Sequence, residues 1–205
     1  MEPSTLGRKY DRIANWWNER HFDSKYGVSQ FEKALDYSQG SGAALDVGCG
    51  AGGRFIRLME NRGYSVTGLD VSEEMIALAS KNHPDEFFLV QDICLYKTKK
   101  KFEFIVAWDS IFHLPLELQK PTVAKLCNLL VDNGILIYTF GDDVGAHEDV
   151  WHGDRFYYSS IGINGNLKVM MENGVTCKHM ELDQWPLNHV YIIGQKTVLE
   201  QRDDD

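Results

Sequence analysis

"ALDVGCGAGG", residues Ala44 to Gly53, decides how this chain folds. A short apolar run ends in an acid, Asp46, and then opens into glycines. An apolar run stopped by glycine reads as a buried strand. Closely spaced glycines after it let the backbone approach a ligand without a Cβ in the way and aim amide groups at it. Gly48, Gly50 and Gly53 satisfy the G-x-G-x-x-G spacing of a dinucleotide-binding turn. Asp46, two residues before the first of them, does not belong to that fingerprint.

Outward from this stretch, helical and strand periodicities alternate. On the N-terminal side, the spacing of Ile13, Ala14 and Trp17 predicts an amphipathic helix over residues 10–20, and a second helix is expected over 29–38, ending at Gly40. On the C-terminal side, "GRFIRLMENRG" reads as a helix with Gly63 as its cap, and "YSVTGLD" as a second strand. A helix start follows at Ser72. Then come the strands "EFFLVQD" and "FEFIVAWD", a helix over 118–130 with Pro121 near its first turn, and a fifth strand, "ILIYTF". Gly141 to Tyr158 reads as irregular and 160–173 as helical. "TCKHMELDQ" and "HVYIIGQK" read as a closing antiparallel pair. This order predicts an α/β fold, a Rossmann-like seven-stranded, mostly parallel sheet with helices on both faces and an antiparallel last strand. The 205 residues suit one domain: helices in 1–40, a cofactor-binding half in 41–140, and an acceptor-side segment with terminal strands in 141–200.

Composition narrows the function. Hydrophobic content of 43% and charged content of 25% are ordinary for a globular protein. A net charge of -9 argues against a nucleic-acid partner, because such affinity comes from clustered Lys and Arg. The small cluster Lys97 with Lys99 to Lys101 reads as a solvated loop. Cys49, Cys94, Cys127 and Cys177 lack metal spacing and read as small core or loop residues in a reducing compartment. No apolar leader or run of ~20 apolar residues is present, so the expectation is a cytoplasmic protein without membrane contact.

Ligands of such sheets bind at the carboxyl ends of the strands, by the topological switch point. Four of the expected strands end in acids: Asp46, Asp70, Asp92 and Asp109. Asp70, 24 positions after Asp46, suits both hydroxyls of a ribose; a surface-loop carboxylate is the plainer reading. Asp92 suits the exocyclic amine of adenine, with Ile93 and Met75 on the ring faces, or else a turn acid.

Together, "LDVGCGAGG", "GLDVSEEMI", "LVQDI" and "FEFIVAWDSIFHLP" resemble the motifs of class I S-adenosylmethionine-dependent methyltransferases, in order and spacing, from about Tyr10 to about Phe140. The resemblance is to the small-molecule type. It implies S-adenosylmethionine as cofactor, with S-adenosylhomocysteine as product. It also implies that Asp46 and the Gly48, Cys49, Gly50 and Gly52 backbone surround the amino-acid end, that Asp70 and Val71 meet the ribose, and that Asp92, Ile93 and Met75 meet the adenine. Trp108 is placed with the cofactor on the same ground. "YDRIANWW" resembles the helix that many small-molecule members fold over the cofactor, which would bring Tyr10 and Trp17 to it; a core-facing aromatic stripe is the alternative.

The donor's methyl group is already activated, so alignment of the acceptor does much of the work. An aromatic face from Tyr10 or Trp17 would stabilise the positive sulfur by about 0.5–2 kcal/mol. An acceptor carrying a proton also needs a base. His113, in "DSIFHLP", is the leading candidate, since histidine titrates near neutrality; a structural role in the loop is the alternative. Asp109 is the second candidate, or fixes the loop. His147, His152, Arg155 and Tyr157 are the expected acceptor-binding residues, because "HEDVWHGDRFYY" is dense in groups that hydrogen-bond or stack. Arg155 would pair with an acidic acceptor or with a surface acid. His147 and His152 lack the i, i+4 spacing of a helical metal pair, so no metal is expected.

The function expected is methyl transfer to a small molecule. An NAD-dependent oxidoreductase would account for the glycines and Asp70 but not for Asp46, Asp92 or the final strands; a catalytically silent cofactor-binding module is the third reading. No N-P-P-Y type motif follows the fourth strand, where "DSIF" stands instead.

Overall fold

A computed structural model describes residues 2–198 except 185 and 187. Seven strands form one sheet in the order β3-β2-β1-β4-β5-β9-β8. These are β1 (Gly42–Val47), β2 (Tyr64–Asp70), β3 (Phe87–Val90), β4 (Phe102–Ala107), β5 (Leu130–Gly141), β8 (Val175–Leu182) and β9 (His189–Lys196). β3, β2, β1, β4 and β5 run parallel, while β9 pairs antiparallel with both β5 and β8. The expected α/β sheet is therefore present, with its antiparallel last strand. The order reverses between β1 and β4, so the crevice at their carboxyl ends is the switch point.

β1 is buried on both faces, which is why it reads as an apolar run rather than an alternating one. Ala44 belongs to one core cluster with Phe31, Ile56, Phe104 and Ile137; Leu45 and Val47 belong to another with Val123, Leu126 and Leu136. Helices α3 (Val28–Tyr37) and α4 (Arg54–Asn61) cover the first face, and α6 (Leu116–Leu129) and α7 (Gly162–Glu172) the second. Pro121 sits inside α6, one turn in. α5 (Glu73–Asn82) follows β2, capped by Ser72, whose hydroxyl accepts from the Met75 amide.

Two expectations need correction. The single helix over 10–20 is two helices, α1 (Pro3–Asp11) and α2 (Ala14–His21), broken at Ile13 with φ -115 and ψ 4. The break has a tertiary cause. Asp11 Oδ1 accepts from Ser72 Oγ at 2.6 Å and from the Glu74 amide at 3.2 Å, tying the end of α1 to the start of α5. The segment after β5 is not irregular. It is an antiparallel hairpin, β6 (Val144–Trp151) and β7 (Asp154–Ile161), turning at His152 and Gly153, both at positive φ. Among the described residues no helix is long and apolar enough to cross a membrane.

Candidate active site

The glycine loop leaves β1 at the switch point. Gly48 and Gly50 both adopt positive φ, +74 and +55, the left-handed region that favours glycine. A Cβ on Gly48 would stand 2.2 Å from that of Ser110, whose hydroxyl donates to the Val47 carbonyl at 2.6 Å and ties the β4 end to the β1 end. A Cβ on Gly50 would meet Trp17 Nε1 at 3.2 Å. The loop thus lies folded under α2, which roofs it.

Beneath that roof is a cavity lined by every residue the sequence assigns to cofactor and catalysis: Tyr10, Trp17, Asp46, Gly48, Cys49, Gly50, Gly52, Asp70, Val71, Met75, Asp92, Ile93, Trp108, Asp109 and His113. Asp70 Oδ2 accepts from the Gly50 amide and Oδ1 from the Ser72 amide, each at 2.9 Å, so one carboxylate joins the glycine loop to the β2 end. Burial raises its pKa while those amides and that of Val71 oppose the rise. Asp92 Oδ1 accepts from the Cys94 amide at 2.8 Å, and still lines the cavity, so it is a turn acid and a site residue at once. Asp46 is 5% exposed, and its carboxylate takes no hydrogen bond from any described residue. Burial first, then Asp70, push its pKa up to about 7, with Arg54 pulling the other way.

His113 Nδ1 donates to the Tyr157 carbonyl at 2.9 Å, which leaves Nε2 as the acceptor. That nitrogen lies 3.0 Å from the Tyr10 hydroxyl, which therefore donates to it. Burial lowers the pKa of His113 to about 4, against the opposing pull of the Tyr157 carbonyl and Asp109. Desolvation likewise drives the Tyr10 phenol well above its ordinary value. Asp109, at φ +49, accepts through Oδ1 from Thr139 Oγ1 at 3.1 Å and from His189 Nε2 at 2.9 Å. His189 Nδ1 in turn donates to Asp183 Oδ1 at 2.5 Å. Burial works against the charged imidazole, but Asp109 and then Asp183 outweigh it and raise the pKa of His189.

The four acceptor-side residues are not brought into this cavity. His147 lines a second hollow with Phe112, Tyr158 and His189, its ring stacked on Tyr158 at 5.3 Å. His152 packs on Trp16, ring centroids 4.0 Å apart. Arg155 is exposed and 3.8 Å from Glu148. Tyr157 contributes its carbonyl to His113. Sequence reasoning missed Arg54, His21, Tyr26 and Ser110, which also line the main cavity. Arg54 alone had a signal, its place directly after the glycine loop.

Fold and cavity together define an α/β sheet whose switch-point cavity is lined by a glycine loop and by Asp46, Asp70, Asp92 and Asp109. Residues 44–134 match the family model described as "Methyltransferase domain". A protein of Geobacillus sp. (strain WCH70) named a methyltransferase is 31% identical over 141 residues, 63% of this chain and 56% of that one. The ubiquinone biosynthesis O-methyltransferase of Coxiella burnetii is 28% identical over 146 residues, 65% of this chain and 59% of that one. The chain thus aligns with somewhat over half the length of these curated relatives. Among solved structures, magnesium protoporphyrin IX methyltransferase from Synechocystis PCC 6803, with bound S-adenosylmethionine, superposes with a TM-score of 0.69 at 17% identity, over 96% of this chain and 98% of that one. Over residues 44–134 the chain is thus similar to methyltransferase domains, and nearly its whole length shares the fold of a methyltransferase crystallised with S-adenosylmethionine.

Proposed function

We propose that this chain transfers the methyl group of S-adenosylmethionine, in line, to a small-molecule acceptor. The observation that carries the reading is the meeting of Asp46, Asp70, Asp92 and the glycine loop in one cavity at the switch point. A nicotinamide dinucleotide gives no work to Asp46 or Asp92. The names of the Coxiella and Synechocystis proteins, which point to ubiquinone biosynthesis and magnesium protoporphyrin IX, support a small acceptor.

The bound cofactor supplies a methyl group activated on a sulfonium. The chain does the rest. Asp70 keeps carboxylate lone pairs beyond its two amide bonds for the ribose hydroxyls. Asp92 would accept from the adenine amine, with Met75 and Ile93 lining that end of the cavity, and Asp46 would accept from the ammonium group. Tyr10 and Trp17, centroids 5.9 Å apart, present aromatic surface on the roof side and exclude water. His113 takes the acceptor's proton at Nε2 when the Tyr10 hydroxyl turns aside; its Nδ1–H, fixed on Tyr157, holds the right tautomer. Asp109, braced by Thr139 and His189, orients the loop that carries His113. His147 stands in the neighbouring hollow, where an acceptor enters from the hairpin side.

Incubating the protein with methyl-labelled cofactor and metabolite pools tests this reading. Label in the small-molecule fraction with stoichiometric S-adenosylhomocysteine is expected. Persistent silence despite tight cofactor binding would make the chain a binding module instead. Asp70→Ala is expected to weaken cofactor binding strongly, whereas His113→Ala should slow turnover and leave binding nearly intact. Loss of cofactor affinity in His113→Ala would remove His113 from the role of base.

A further inference from the structure

Gly52 has the cavity on one side and a histidine on the other. It adopts φ +73 and lines the main cavity. Behind it stands His83, the residue that closes α5, 4% exposed and outside the cavity lining. A Cβ on Gly52 would come within 2.8 Å of His83 Cδ2, so the imidazole packs directly against the loop backbone. Both ring nitrogens are engaged. The Gly53 amide donates to Nε2 at 3.2 Å, and Nδ1 lies 2.9 Å from Glu60 Oε1, which as a carboxylate can only accept. The neutral ring with its proton on Nδ1 fits both partners.

The preceding residue holds the other side of the turn. Asn82 Nδ2 donates to the Ala51 carbonyl at 2.9 Å and to Asn18 Oδ1, on the roof helix α2, at 3.0 Å. Two adjacent residues at one helix end thus take the backbone on both sides of Gly52, and one of them ties the roof to the same point. The loop needs such a clamp. Glycine loses more conformational freedom on ordering than any other residue, and Gly48, Gly50, Gly52 and Gly53 fall within six positions. Gly53 precedes α4 at φ +119 and ψ -133, with no side chain to cap the helix. Without Nε2 its buried amide loses its acceptor, and the loop must move to find another.

We propose that His83 and Asn82 are positioning residues for cofactor binding, holding the Ala51–Gly53 turn in its cavity-lining shape before a ligand arrives. This rests on the cavity being the S-adenosylmethionine site. Apparent affinity falls in proportion to the fraction of chains whose loop is competent to bind, so loss of the clamp weakens a ligand that neither residue touches.

Two substitutions separate the ring nitrogens. His83→Gln puts an acceptor where Nε2 stands, and His83→Asn puts one near Nδ1 only. In calorimetric titration with S-adenosylhomocysteine, His83→Gln is expected within about three-fold of the unaltered chain and His83→Asn weaker by about ten-fold or more. Amide hydrogen exchange over residues 48–53 of the ligand-free chain should quicken in His83→Asn and stay slow in His83→Gln. Equal affinities for the two variants, or a loss in His83→Asn without faster exchange in the loop, overturn the proposal. Asn82→Ala removes the other half of the clamp from a half-buried position and is expected to weaken the same ligand by about five-fold. Unchanged affinity there overturns the proposal even where neither His83 variant folds. If the unaltered chain does not bind S-adenosylhomocysteine, the cofactor reading falls first, and the proposal with it.

Discussion

Asp46 is a carboxylate held near its midpoint at neutral pH, because burial and Asp70 raise its pKa to about 7. Its ionised form is the one that accepts an ammonium group, so affinity for S-adenosylhomocysteine is expected to rise as pH increases from 6 to 8. Asp46→Asn should flatten that slope, and calorimetry across the range checks both. An affinity flat or falling with pH in the unaltered chain would contradict the role. His113 gives the opposite case. Burial lowers its pKa to about 4, so it stays neutral and able to accept a proton throughout the ordinary range. With cofactor saturating, so that Asp46 is already paired, the acid limb of kcat/KM for the acceptor is expected near pH 4; a limb near 6.5 that disappears in His113→Ala would mean an exposed imidazole and a different site. Asp46, Asp70, Asp92 and the loop glycines were legible as cavity lining because each stands at a strand end, where topology leaves little choice of direction. Arg54, His21 and Tyr26 were harder, since neither charge nor aromaticity in a sequence says which side chains will line a cavity.

At the scale of elements, the hairpin β6–β7 reaches across to the N-terminal helices. Asp154 pairs with Lys9 at 3.3 Å and with Arg12. Trp151 lies 5.7 Å from Trp16 and 5.9 Å from Trp17, and His152 packs on Trp16. Solvent screening weakens ion pairs of this kind, while aromatic pairs add about 0.5–1.5 kcal/mol beyond the area they bury. The rings therefore hold the roof more than the charges do. Trp151→Ala is expected to speed release of S-adenosylhomocysteine several-fold in stopped-flow measurements, with Asp154→Asn changing it little. The reverse order would place the clasp in the ion pairs. None of this hairpin was legible in the sequence. Seven of the eight residues of β6 are exposed, so no buried face imposes the alternation that marks a strand. The break between α1 and α2 was hidden for a related reason, since it depends on Asp11 meeting Ser72, 61 positions away.

For the whole molecule, the parallel strands and the antiparallel closing pair were legible because a sheet buried on both faces demands continuous apolar runs. Sheet order sets the chemistry: the reversal between β1 and β4 opens the crevice into which Asp46, Asp70, Asp92 and Asp109 converge. The side chains around the hairpin and the second hollow follow no periodicity that would guide a reading. The central claim concerns the crevice, and calorimetric titration of the chain with S-adenosylmethionine, S-adenosylhomocysteine and NAD tests it most directly. Saturable binding of the two sulfur compounds, with none of NAD, is the expected result; binding of NAD alone would contradict it.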